Sequence, residues 1–346
     1  MSKLAVYALG GNALEAPGGD ARDALEVLAR VMSDIVDLLE MDWRVVITHG
    51  NGPQVGHLLG LDADGSMGME RWVAATQGMI GHQLSLQLQT ILHRRRRPER
   101  TAVVLTHVEV DPVDEGFTWP TKPVGPVLDA QTVMSADWDI AQTVHGPRRV
   151  VASPAPLRVM ELDVIRQLVD LQGVVICGGG GGVPVIHREE GLQGVAGVID
   201  KDLLSSLLAS DLEADALIIS TGVDAIYSDF GTPQASPNRR LSVDELKSMQ
   251  QAGHFPAGSM GPKVSALSAY CVSSPEGRAV LCQPGDVLAA LRVNEEPSSA
   301  PDSMRQKPHL HMMRGFSECH GDPNYCPSPL RRTLRRLRPR QRTNCG

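Results

Sequence analysis

Short apolar runs alternate with longer amphipathic stretches along the first 292 residues, and this alternation constrains the fold more than any other feature. The runs at 4–9, 45–48, 102–106, 174–177, 216–220 and 279–282 are near-continuous and rich in Val, Ile and Leu. That is the pattern of strands buried on both faces of a parallel sheet. Between them, 21–40 places Leu25, Leu28, Met32, Ile35 and Leu39 at three- and four-residue spacing, which gives one apolar helical face. Similar helical patterns cover 69–93, 157–171, 201–212 and 262–272. Strand–loop–helix repetition predicts a three-layer α/β/α sandwich around an open, mostly parallel sheet. Ligands then bind where loops leave the carboxyl ends of the strands.

Two segments break the rhythm. Residues 117–156 carry six prolines and no clean period, which predicts a small lobe projecting from the domain. Residues 293–346 are rich in Pro and Arg. From 295 onward there are ten Lys/Arg against five Asp/Glu, a net of +5, whereas residues 1–294 carry a net of −12. Composition alone marks this end as a disordered or aberrant tail. Its His309, His311, Cys319, His320 and Cys326 match no familiar zinc spacing. The domain is therefore expected to span 1–292.

The whole-chain charge of −7 argues against nucleic acid as the main partner. The opening lacks the pattern of a secretory leader, and no apolar run approaches the roughly 20 residues of a membrane helix. Six cysteines in 346 residues are too sparse for a disulfide scaffold. Reduced thiols and a cytoplasmic setting are expected.

Four strand exits carry the chemistry. Gly10-Gly11-Asn12 follows the first run, where missing side chains let backbone N–H groups approach an anion. His49-Gly50-Asn51-Gly52-Pro53 follows the second, and a helix starting near Pro53 offers free N–H groups to an anionic ligand. His49 has the chemistry of a general base, but a strand-end histidine is more often structural. Five successive glycines, 178–182, follow the run at 174–177, with Gly179 and Gly180 among them. This is not a Walker A loop, since no Gly-Lys-Ser/Thr follows. It also lacks the acidic residue of a dinucleotide fingerprint. Finally, Lys201 beside Asp202, and Lys263 after Met260-Gly261-Pro262, stand at predicted helix starts, where a cation opposes the helix dipole. Phosphoryl transfer needs cations aimed at the transferring group. Two solvated surface lysines are the bland alternative.

Taken together, the chain resembles the carbamate kinases, a branch of the amino-acid-kinase fold family. The resemblance rests on an ordered series: AVYALGGNAL at 5–14, THGNGPQVG at 48–56, QGMIGHQL at 77–84, PTKPVGP at 120–126, ICGGGGGVPV at 176–185, GVIDKDLLSSLLASDLEADALII at 197–219 and GSMGPKV at 258–264. Many amino-acid kinases place a lysine two residues before the first Gly-Gly pair, where this chain has Ala8. Carbamate kinases similarly lack it and supply a cation from the projecting lobe, which corresponds to Lys122.

The resemblance implies direct phosphoryl transfer between ATP and carbamate, with no covalent enzyme intermediate. Lys122, Lys201 and Lys263 would neutralise the transferring group, and Asp202 would orient them. Gly10, Gly11, Asn12, Gly50, Asn51, Gly52, Gly179 and Gly180 would line the carbamate and phosphoryl side. Thr221, Val223, Asp224, Tyr227, Met260 and Gly261 would shape the nucleotide side. Mg²⁺ would ride on the phosphates of ATP or ADP rather than on a protein cage. Similar enzymes are homodimers that commonly run toward ATP in arginine or ureide catabolism. The chain departs from its relatives at Gly222, where they carry Asp, at His107, where they carry Gln, and at its end, where a final strand is not evident. The altered positions motivate one alternative, a catalytically weak subunit that binds nucleotide or carbamoyl phosphate for a partner enzyme.

Overall fold

The computed structural model describes residues 2–10, 21–62, 65–143, 145–229, 232–255, 260–292 and 309–312. The first third of the chain supplies β1 (Leu4–Leu9), α1 (Ala21–Glu40), β2 (Arg44–His49), α2 (Gly52–Leu61), α3 (Met69–Arg94) and β3 (Arg100–Val103). The middle supplies β4 (His107–Val110), α4 (Glu115–Thr118), β5 (Lys122–Val124), α5 (Ala130–Ser135), β6 (Ile140–Thr143), β7 (Gly146–Val151), β8 (Pro156–Val159), α6 (Leu162–Asp170), β9 (Gly173–Ile176), β10 (Val183–Arg188) and β11 (Gly191–Gly194). The last third supplies α7 (Lys201–Asp211), β12 (Ala216–Ser220), β13 (Ile226–Ser228), β14 (Ser236–Asn238), β15 (Arg240–Ser242), α8 (Val243–Gln251), α9 (Met260–Ser273), β16 (Arg278–Cys282), α10 (Val287–Arg292) and β17 (His309–Met312).

Eight strands form the main sheet in the order β15-β17-β16-β12-β1-β2-β9-β3. Every pairing is parallel except β15 with β17. Successive side chains of a strand face opposite sides, and β1 shows the consequence. Ala5, Tyr7 and Leu9 enter one core with Ile35 of α1, Leu84 of α3 and Ala290 of α10. Leu4, Val6 and Ala8 enter the other with Ile165 of α6, Leu208 of α7 and Leu267 of α9. Both faces are covered, so the strand reads as an unbroken apolar run. Truncating a fully buried residue such as Ile35 to alanine costs about 2–5 kcal/mol.

The lobe is a three-stranded antiparallel sheet, β5-β7-β6. A further sheet has the strand order β11-β10-β4-β8. Two expectations need correction. The helical pattern at 157–171 splits: its first residues are strand β8, and the helix begins at Leu162. The sheet also does not stop at β16, because His309–Met312, inside the basic end of the chain, pairs with β16 and β15. Backbone pairing with an existing strand edge needs no periodic side-chain pattern, and four residues are too few to show one. Among the described residues no helix is long and apolar enough to cross a membrane. The described cysteines Cys177, Cys271 and Cys282 are unpaired and buried.

Candidate active site

Because β12, β1, β2 and β9 are parallel, their carboxyl ends lie along one margin of the sheet. Register makes this concrete: Leu9 stands opposite both Ser220 and His49, and Ile47 opposite Ile176. The loops after these strands are the ones singled out in the sequence. Gly10 is tied to Ser220 through its N–H (3.2 Å), and the Gly50 N–H donates to the Leu9 carbonyl (3.1 Å). Gly11 and Asn12 lie outside the described residues.

Asn51 is the N-cap of α2, and its side chain does not cap the helix. Its amide Nδ2 donates to Thr76 Oγ1 (2.9 Å), and that hydroxyl donates to the Val73 carbonyl (2.7 Å). The two bonds fix which way the amide points. Its Oδ1 is buried without a hydrogen-bond partner among the described residues. Gly179 and Gly180 are themselves buried, packed flat against the His49 ring and the Asn51 amide. Gly180 has φ of +64°, and a Cβ there would sit 2.1 Å from Asn51 Nδ2, so only glycine fits. Five glycines thus let a backbone turn close over two polar side chains.

His49 is buried beside Lys201. Burial lowers its imidazole to about 4, the Lys201 charge adds to the shift, and a bond to the Gly50 carbonyl partly opposes it. The ring is neutral at working pH.

The cations converge at the start of α7. Asp200 is the N-cap: its Oδ1 accepts from the N–H groups of Asp202 (2.8 Å) and Leu203 (3.4 Å). Its Oδ2 accepts from Lys122 Nζ at 2.5 Å. Lys201 Nζ donates to Asp202 Oδ1 (2.5 Å) and Lys263 Nζ to Asp202 Oδ2 (3.2 Å). Burial works to raise the Asp202 carboxyl, but the charges of Lys201, Lys263 and Lys122 outweigh it and hold it well below the usual range. Burial pushes the Lys201 ammonium down, with Asp202 opposing. Three lysines from the lobe, α7 and α9 are thus gathered by two aspartates on one helical turn. Removing either partner of such a buried pair strands a charge.

The lobe reaches this turn by sitting on α2. The Gly125 N–H donates to the Gly52 carbonyl (3.1 Å), and Gly56 lies against the backbone of Val124 and Gly125. On the far side of β1, Thr221 is tied to Cys282 through its N–H (2.9 Å), and the Gly222 carbonyl accepts from Gln283 (3.1 Å). Val223 is partly buried against the core, and Met260 is buried at the start of α9 beside half-buried Gly261. Asp224 accepts from the Tyr227 hydroxyl (2.8 Å) and from Arg239 (3.0 Å). The sequence reading gave Asp200, next to Lys201, no role of its own and passed over Arg239. An Asp directly before Lys-Asp at a helix start is the signal of an N-cap.

This margin of glycine turns and gathered lysines is what a kinase of small carboxylates would need, and similarity to known proteins decides the matter. The model of the amino acid kinase family matches residues 3–277. The chain belongs to that family. An amino acid kinase of this kind is an ATP-dependent enzyme, and the relatives place it among the carbamate kinases. Carbamate kinase 1 of Enterococcus faecium is 39% identical over 291 residues, covering 81% of the chain and 93% of the relative. The carbamate kinase of Halobacterium salinarum is 38% identical over 83% of the chain and 94% of its own length. The carbamate kinase from Giardia lamblia bound to AMP-PNP superposes with a TM-score of 0.72 at 32% identity, over 84% of this chain and 96% of that one. These relatives are all named as carbamate kinases, and a catalytically weak binding subunit finds no support among them.

Proposed function

We propose that this amino acid kinase moves a phosphoryl group between ATP and carbamate, and that Lys122, Lys201 and Lys263 stabilise the charge of the transferring group. The observation that carries the reading is the meeting of those three lysines on Asp200 and Asp202 at the sheet's carboxyl margin. In the forward direction a carbamate oxygen attacks the γ-phosphorus. The bond to the bridging oxygen breaks, and that oxygen leaves as part of ADP. In reverse, a β-phosphate oxygen of ADP attacks the phosphorus of carbamoyl phosphate and carbamate leaves. Both nucleophiles are already anionic, so no general base is required, and a buried His49 lowered to about 4 would be a weak one. What the protein supplies is position and positive charge.

Asp202 orients Lys201 and Lys263. Gly10, Gly50, Asn51 and Gly52 border the carbamate side, with Gly179 and Gly180 supporting His49 and Asn51 from behind. Gly11 and Asn12 are assigned to the phosphoryl side by resemblance. Thr221, Val223, Asp224, Tyr227, Met260 and Gly261 are read as the nucleotide side by resemblance, and the Giardia relative bound to AMP-PNP supports nucleotide binding by this fold. Mg²⁺, when bound, supplies further positive charge to the phosphates. Both Asp202 oxygens are engaged by lysines, which fits a metal carried by the nucleotide rather than by carboxylates of the chain.

Operation toward ATP and a cytoplasmic setting are assigned by resemblance. A homodimer is supported by the edge strand β3, the residues just after it and its neighbour α3, where Met79, Leu86, Val103 and Leu105 are exposed. The direct test is ATP formation from ADP, Mg²⁺ and carbamoyl phosphate. Turnover that falls by about 10²-fold or more in Lys263→Ala supports the reading. A folded wild-type protein that forms no ATP would overturn it.

A further inference from the structure

Lys122 comes from a three-residue strand on a small lobe and carries a flexible four-carbon stem. A cation mounted in this way is poorly placed unless something fixes it. Asp200 is built to do so. Its Oδ1 is committed to the Asp202 and Leu203 N–H groups, which stops the carboxylate from rotating. Its Oδ2 is thereby presented at a fixed point, and Lys122 Nζ sits on it at 2.5 Å. The pair is largely sheltered, with side-chain exposure of 26% for Lys122 and 11% for Asp200. The helical turn that Asp200 caps also carries Lys201 and Asp202. One carboxylate therefore references the lobe's cation to the turn that holds the other two.

We propose that Asp200 is a positioning residue for phosphoryl transfer, acting through Lys122. It sets where the lobe cation stands over the transferring group and itself touches no substrate. It also tempers the site's charge. Three lysines against Asp200 and Asp202 leave a formal +1, enough to attract a phosphorylated substrate without holding it in a mismatched pose. Removing the Asp200 charge raises the formal charge to +2 and frees Lys122 to follow the ground-state phosphate. The expected signature is a lower kcat without a higher KM.

The inference rests on the phosphotransfer reading, and its test is a double-mutant cycle of Asp200→Asn and Lys122→Ala. Asparagine caps a helix about as well as aspartate, so Asp200→Asn removes the charge and keeps the cap. ATP formation from ADP and carbamoyl phosphate is measured for the wild type, both single variants and the double variant. Asp200→Asn is expected to lower kcat at least about tenfold with KM for carbamoyl phosphate unchanged or reduced, on the scale of misplacing one catalytic group. In the Lys122→Ala background it is expected to change kcat less than about twofold, because its target is gone. An equal loss in both backgrounds, or no loss in either, would overturn the proposal. If Asp200→Asn fails to fold, Asp200→Ser keeps a capping oxygen and replaces it in the cycle. A wild type without turnover contradicts the phosphotransfer reading itself, which separates the two failures.

Discussion

Replacing Gly56 by alanine tests whether the seat of the lobe positions Lys122. Gly56 lies in α2, and a Cβ there would stand 1.9 Å from the Gly125 nitrogen and 2.1 Å from its Cα. Both are backbone atoms, so no side chain can swing aside. Ordinary contact begins near 3.4 Å, so β5 and its lobe must move away by about 1.5 Å, as two backbones that touch cannot interpenetrate. Lys122 lies three residues before Gly125 on the same segment and moves with it. A misplacement of about 1 Å at a reacting centre costs about 10²-fold in rate, and that is the expected loss in kcat. Stability should respond differently. Alanine improves helix propensity over glycine by about 1 kcal/mol, which offsets part of the lost lobe contact. The assays are steady-state ATP formation and thermal unfolding. Full activity in Gly56→Ala, with Lys122 still required, would refute the argument that the α2 seat sets the lobe cation.

Other predictions follow from the buried charges and the exposed edge. Asp34 accepts from the Tyr7 hydroxyl and from the N–H groups of Gly285 and Val287, yet burial raises its carboxyl to about 6. A raised carboxyl favours the protonated folded state, so its contribution is present at low pH and is lost as pH rises from about 4 to 6. His49, lowered to about 4, works the other way and costs stability as pH falls from 6.5 to 4. Each shift corresponds to roughly 3 kcal/mol and the two oppose. Asp34→Asn should therefore unmask the histidine, and chemical denaturation should show stability falling more steeply between pH 6 and 4 than in the wild type. An unchanged slope would contradict the assignment. Leu86→Glu, on the exposed face of α3 beside edge strand β3, should convert the proposed homodimer to a monomer in sedimentation. An unaltered assembly would place the interface elsewhere.

The central sheet is legible in the sequence because its strands are covered on both faces. LAVYAL at 4–9 is an unbroken apolar run for that reason, and α1 keeps its expected bounds and buries Leu28, Met32, Ile35 and Leu39, although Leu25 of the same stripe is exposed. Lys201 and Lys263 are legible as cations that oppose the dipole of their own helices. Lys122 is legible only through resemblance, since β5 is three residues long, contains Pro123 and displays no period. The geometry that joins these residues is not readable from spacing. Asp200 and Lys122 are 78 positions apart, and Asn51, Thr76 and Gly180 meet only once α2, α3 and the glycine turn are folded together. The glycines after Cys177 invite a phosphate-loop reading, but their burial against His49 and Asn51 depends on what lies behind them. β17 escapes notice because a four-residue strand is specified by the edge it joins rather than by its own pattern.

The most direct measurement is ATP formation from ADP, Mg²⁺ and carbamoyl phosphate by the wild type beside Lys122→Ala. The account predicts steady turnover by the wild type and a loss of about 10²-fold or more in kcat for the variant, with the fold retained. Equal turnover by the two proteins would contradict the claim that a lobe lysine completes the site, and a folded wild type without turnover would contradict carbamate phosphotransfer altogether.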